Sequence, residues 1–212
     1  MNRPTKKKYL LLQIISYVLK FLLLVFLIYA LLRNDWLWSF FIVIMIIIAF
    51  LPILIKRILG IDFLWLFDIF VSLALLFHVG NGLLDICSSI PPYNKFTHFF
   101  SAMVVGFLIL LLLFVTNQYY QGIVGKRSKV LFDVVVITMA FGVVWEFLEW
   151  SSDLLFGWHT QPSLQDTMGD LLADALGGIV IAFLGYFLLK RNVLQRYSQT
   201  IKRELDALFE KK

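Results

Sequence analysis

Six long, predominantly apolar stretches of about twenty residues set what this chain can fold into. They run over 9–32, 36–55, 63–84, 96–116, 129–151 and 166–189. A helix of about 20 apolar residues crosses the roughly 30 Å hydrocarbon core of a bilayer. The runs are continuous and do not alternate over ten-residue segments, so helices are expected rather than a β-barrel. Charged residues make up only 16% of the 212 residues and hydrophobic ones 60%, whereas a soluble domain carries about 25% charged residues. A water-soluble globule of this size could not hide so much apolar surface, and a disordered chain would not carry it. The expected fold class is all-α: a polytopic integral membrane bundle of about six transmembrane helices. It reads as one membrane domain over 1–212, with two amino-terminal helices within 9–62, a core over 63–190 and a cytoplasmic tail over 191–212.

The net charge of +5 is a topology signal and not a nucleic-acid footprint. Sixteen of the 19 Lys and Arg residues fall at the amino terminus, in the second-to-third and fourth-to-fifth connections, and in the tail. Only Arg33 and Lys95 fall on the other side, with Lys20 inside the first span. The bias places both termini in the cytoplasm. Trp36, Trp38, Trp145, Trp150 and Trp158 then mark the outer boundary, and Trp65, Tyr119 and Tyr120 the inner one, as aromatic belts do. The first span is too long for a signal peptide and is followed by Arg33, Asn34 and Asp35 instead of small residues. The tail from Asn192 reads either as an amphipathic helix on the inner leaflet or as a solvated segment. The lone Cys87 excludes an intrachain disulfide and has no partner base in sequence.

Ionisable groups inside a membrane span are costly and point to function. Here they gather at one depth. His78, Asn81 and Asp85 close the third span, Lys95 and His98 open the fourth, Glu146 and Glu149 end the fifth, and Asp166, Asp170 and Asp174 open the sixth. Glu146 and Glu149 share a helix face, and the three aspartates at four-residue spacing form one stripe. The inexpensive arrangement turns both stripes inward, with a cation, protons or His98 offsetting their charge. His98, Glu146, Glu149, Asp166, Asp170 and Asp174 are therefore candidate metal ligands, with His98, Glu146 and Asp170 as candidate catalytic residues. Carboxylates with imidazole suit Mg²⁺, Mn²⁺ or Zn²⁺, so a divalent metal is the one cofactor this donor set suggests. Structural readings stand beside this one: Asp166 as the N-cap of the sixth helix, Glu149 as a solvated headgroup-level residue, and His78 and His159 as loop or packing histidines. Lys20 and Asp68 lie inside spans one and three and pair with each other, or else Lys20 snorkels to water. Gly177, Gly178, Ala182 and Gly185, with Ala102 and Gly106, are expected to let helices pack closely.

Three blocks carry a family resemblance over about residues 78–187. They are Tyr93-Asn94-Lys95-Phe96-Thr97-His98-Phe99, Trp145-Glu146-Phe147-Leu148-Glu149-Trp150, and Gln165-Asp166-Thr167-Met168-Gly169-Asp170 followed by Asp174 and Gly177. They resemble the VanZ-like superfamily of small membrane proteins, most nearly its YjdF-like inner-membrane branch. Asn94 stands where that pattern usually has Asp. The resemblance implies a cell-envelope setting and supports the site, without implying a reaction. Three functions fit: a metal-dependent envelope or lipid-phosphate enzyme at the outer leaflet of a prokaryotic-type plasma membrane, a small proton- or cation-coupled transporter, and a non-catalytic envelope stress or resistance protein. The expected partners are the lipid bilayer and a lipid-linked or envelope substrate, with no nucleic acid; the sequence does not fix an oligomeric state.

Overall fold

A computed structural model describes residues 6–59, 64–90, 92–119, 127–190 and parts of 199–207. Arg3, Pro91, Tyr120, Lys126 and most of the carboxyl-terminal tail lie outside the described residues. The chain forms α1 (Lys6–Leu32), α2 (Trp36–Leu59), α3 (Leu64–Gly82), α4 (Ile86–Ser89), α5 (Pro92–Tyr119), α6 (Arg127–Phe156) and α7 (Leu164–Lys190). No strand occurs among the described residues. All of these helices except α4 are long and apolar enough to cross a membrane. The four-residue α4, which follows the left-handed Asp85, is an element the hydropathy pattern does not signal. Large apolar side chains such as Phe21, Phe132 and Phe183 are mostly exposed, the surface of a protein that meets lipid rather than water.

Helices group into two compact units, Met1–Ile90 and Pro91–Lys212. In the first, α1, α2 and α3 pack on one another. The α1–α2 corner is written in two residues. Asn34 adopts φ 56°, and its N–H and that of Asp35 bond to Leu31 O and Ala30 O at 3.0 Å each, a Schellman closure with Asn at the left-handed position. Asp35 then starts α2 by accepting the Trp38 N–H at 3.1 Å. Leu23, Ala30, Ile42, Ala49, Val79 and Leu83 form the apolar centre, and the Trp38 ring lies where a side chain on Gly82 would be.

The same unit buries a charge pair. Lys20 donates to Asp68 Oδ1 at 2.7 Å and to Ser16 and Ser72 hydroxyls at 3.1 Å each. Ser16 donates to the other Asp68 oxygen, and Phe50 places its ring 5.6 Å from the ammonium. The side chains of Lys20 and Asp68 are 3% and 1% exposed, so Lys20 does not snorkel; it ties α1 to α3. Removing one partner of such a pair strands a charge at a cost of about 3–5 kcal/mol, whereas replacing both leaves no charge to strand. Asp68→Asn is therefore expected to lower the thermal midpoint in detergent, and adding Lys20→Met to recover more than half of the loss. A double variant no more stable than Asp68→Asn would contradict the pairing.

In the second unit α5, α6 and α7 pack mutually, α5 and α7 most extensively. Their close approach rests on small residues. A Cβ on Gly177 would lie 2.6 Å from Phe99 O and 2.8 Å from Ala102 Cβ, so at this level the two helices touch backbone to backbone, as small residues allow in membranes.

Candidate functional site

The Gly177 contact between α5 and α7 sets the neighbouring turns of both helices side by side. His98, one residue before Phe99 on α5, therefore comes to face Asp170 and Asp174, two turns and one turn before Gly177 on α7. Glu146 reaches the same point from α6. The side chains of His98, Glu146 and Asp170 are 4%, 6% and 1% exposed. His98 Nε2 stands 3.9 Å from Glu146 Oε1 and 3.9 Å from Asp170 Oδ1, and all three donor atoms lie within 4.8 Å of one another.

In each of these side chains one polar atom is hydrogen-bonded and the other is not. The His98 ring meets Asp174 Oδ2 through Nδ1, 3.4 Å away, while its Nε2 is buried without a hydrogen-bond partner. Glu146 Oε2 accepts the Gln161 amide at 2.7 Å, while Oε1 is buried without one. Asp170 Oδ2 accepts from Asn94 at 3.0 Å and from Lys95 at 3.1 Å. Its Oδ1 makes no hydrogen bond, although the Lys95 ammonium passes 3.0 Å away. His98 Nε2 thus stands 3.9 Å from each of the two carboxylate oxygens that make no hydrogen bond. A buried polar atom without a hydrogen bond costs about 1–3 kcal/mol, and more when it is charged; the Lys95 ammonium offsets that cost at Asp170 Oδ1, whereas His98 Nε2 and Glu146 Oε1 find no hydrogen-bond partner among the described residues.

The loop between α6 and α7 is built to present Gln161. Gly157, at φ 68°, ends α6 with its N–H on Asp153 O at 3.0 Å, the left-handed closure glycine favours. The Asp153 carboxylate then accepts the Thr160 N–H at 2.8 Å, the Thr160 hydroxyl at 2.6 Å and the Gln161 N–H at 2.8 Å. With its backbone pinned, Gln161 bonds both the carboxylate of Glu146 and, at 3.0 Å, its carbonyl oxygen. Ser163 caps α7 by accepting the Asp166 N–H at 3.1 Å.

The six expected ligands are thus not equivalent. His98, Glu146 and Asp170 converge, and Asp174 stands behind His98 on its far ring nitrogen. Asp166 is half-buried and bonds Lys95 through its carboxylate and, at 3.0 Å, its carbonyl; the capping role belongs to Ser163. Glu149 is half-buried and accepts the Trp145 indole N–H at 2.8 Å. Reading the sequence by charge passes over Gln161 and Gly142 and gives Asn94 no part. The amides carry no charge to betray them. A Cβ on Gly142 would fall 2.8 Å from Asp174 Cγ, so this glycine makes room for the carboxylate that faces His98. Gly142→Ala is expected to destabilise the protein by about 1–3 kcal/mol through overpacking, and by less in an Asp174→Ala background. Equal losses in both backgrounds, measured by thermal unfolding in detergent, would contradict this seat for Asp174.

Comparison with known proteins adds three findings. A family model described as "Predicted membrane protein (DUF2238)" matches residues 11–191. An "Uncharacterized protein" of Thermotoga maritima is 25% identical over 146 residues, covering 65% of this chain and 71% of that protein. No solved structure matches the chain.

Proposed function

This chain belongs to the family of predicted membrane proteins (DUF2238), and we propose that it holds a divalent metal between His98 Nε2, Glu146 Oε1 and Asp170 Oδ1. The convergence of three buried donor residues, each with one polar atom that makes no hydrogen bond, carries this reading. Metal–donor bonds of roughly 2.0–2.2 Å put neighbouring donors on one ion roughly 3–4 Å apart, and the two 3.9 Å separations fall at the wide end of that range. The outer contacts also suit a metal. Histidine ligands typically offer their second ring nitrogen to a carboxylate, and ligating carboxylates are hydrogen-bonded in turn. Asp174, Gln161, Asn94 and Lys95 occupy those positions here. Bound at three protein atoms, a divalent ion would keep coordination positions for water or substrate, where it polarises a phosphoryl or carbonyl group or activates water.

The setting we infer is the outer leaflet of a plasma membrane, on the strength of the Lys and Arg distribution, with both termini inside. The VanZ-like and YjdF-like resemblance belongs to the same reading: its three blocks supply His98, Glu146 and Asp170. The resulting activity is that of a metal-dependent enzyme of the cell envelope. Glu146 and Asp170 supply two negative charges to the ion, His98 a neutral donor, and Asp174 orients the imidazole so that Nε2 faces inward.

Elemental analysis of protein purified without chelator is expected to give about one divalent metal per chain. Glu146→Gln and Asp170→Asn should lose it while eluting as folded protein on size exclusion. Asp174→Asn should keep the site but bind about 10–100-fold more weakly, the usual cost of removing an outer-shell partner. A wild-type protein that holds no metal, and takes up none on addition of Mg²⁺, Mn²⁺ or Zn²⁺, would overturn the proposal.

A further inference from the structure

A second site lies in the other unit. A cavity of about 250 Å³ is lined by Gln13 and Tyr17 of α1, Ile53 and Arg57 of α2, and Trp65 of α3. At about 30 Å³ per molecule of liquid water, that is space for roughly eight waters. The cavity runs from the span boundary, where Arg57 follows a span that ends at Ile55 and Trp65 begins another, to Tyr17, two turns inside the span that begins at Leu10.

Its lining is rich in donors. Arg57 brings a guanidinium, Gln13 an amide and Tyr17 a hydroxyl. Among the described residues, Arg57 and Gln13 have no hydrogen bond or ion pair, and no carboxylate lines the cavity. Asp68, one turn from Trp65, is engaged by Lys20 and Ser16. The Tyr17 and Trp65 rings meet edge to face at 6.4 Å and stiffen one wall, while Ile53 gives an apolar surface beside them. A fixed positive charge, neutral donors and an apolar flank suit a phosphate ester: guanidinium matches phosphate bidentately, and basic pockets between membrane helices receive anionic headgroups.

We propose that this cavity binds a phosphate group, supplied by an anionic phospholipid of the adjoining leaflet or by a soluble phosphate. Arg57 holds the charge and Gln13 and Tyr17 complete the donor set. The site shares no residue with the metal ligands, so it stands or falls independently of them.

The test uses the full-length chain in nanodiscs of phosphatidylcholine mixed with phosphatidylglycerol, followed by native mass spectrometry. Wild-type protein is expected to retain phosphatidylglycerol selectively, and Arg57→Gln to lose at least fivefold of it. Arg33→Gln, on the opposite end of α1, should retain as much as wild type. Arg57 is exposed, so the substitution leaves packing intact, and elution volume checks this. In a second arm, inorganic phosphate is titrated calorimetrically into the protein in pure phosphatidylcholine nanodiscs. Lipid retention dependent on Arg57 identifies the bilayer as the source. Phosphate binding dependent on Arg57, without lipid selectivity, supports the site with a soluble source. Equal behaviour of wild type and Arg57→Gln in both arms overturns it.

Discussion

A carboxylate enclosed by apolar helices must find donors, and the cost of leaving it without them is several kcal/mol per ion. That constraint determines which faces of these helices meet. In the first unit, Asp68 on α3 finds its donors in Ser16 and Lys20 of α1, so one buried pair fixes both rotation and depth of two predominantly apolar helices. In the second unit, Asp170 and Asp174 of α7 turn to Asn94, Lys95 and His98 of α5, and Glu146 of α6 takes its donor from the loop that leads into α7. Apolar packing then fills in around these registers, with Gly177 and Ala102 allowing the α5–α7 approach the polar contacts need.

The two polar clusters differ in one physical respect. Around Asp68 both carboxylate oxygens and the ammonium have partners. Around His98 the outer atoms are hydrogen-bonded and the inner ones are not, with the Lys95 ammonium beside one of them, Asp170 Oδ1. A cluster that serves only to lock helices has no reason to keep three buried donors aimed at a common point. This contrast within one chain motivates the proposal that the second cluster is a metal centre, while the first is a structural ion pair.

Much of this was legible in the sequence, because an apolar background makes every ionisable residue conspicuous. The six spans follow from hydropathy alone. Lys20 and Asp68 stand out as the charges within their spans, and Glu146, His98 and Asp170 as groups at a shared depth. Lateral proximity is another matter. Nothing in the spacing tells which of Glu146 and Glu149 points inward; packing turns Glu146 to His98 and leaves Glu149 on Trp145. Asp166 has the position and chemistry of an N-cap, yet α7 starts at Leu164 and Ser163 caps it, which frees the Asp166 carboxylate for Lys95. Gln161 and Asn94 are ordinary loop and helix-start amides until the fold brings them to carboxylates 15 and 76 residues away. The seat that Gly142 provides for Asp174 depends on helix approach, which no local pattern encodes.

Anomalous X-ray scattering from crystals soaked in Zn²⁺ or Mn²⁺, with data collected at the metal's absorption edge, tests the proposed metal centre most directly. One strong anomalous peak is predicted in the second unit, within bonding distance of His98 Nε2, Glu146 Oε1 and Asp170 Oδ1, with Asp174 still on His98 Nδ1. An anomalous map without a peak there, and with the His98 ring closed directly onto Glu146 or Asp170, would contradict it.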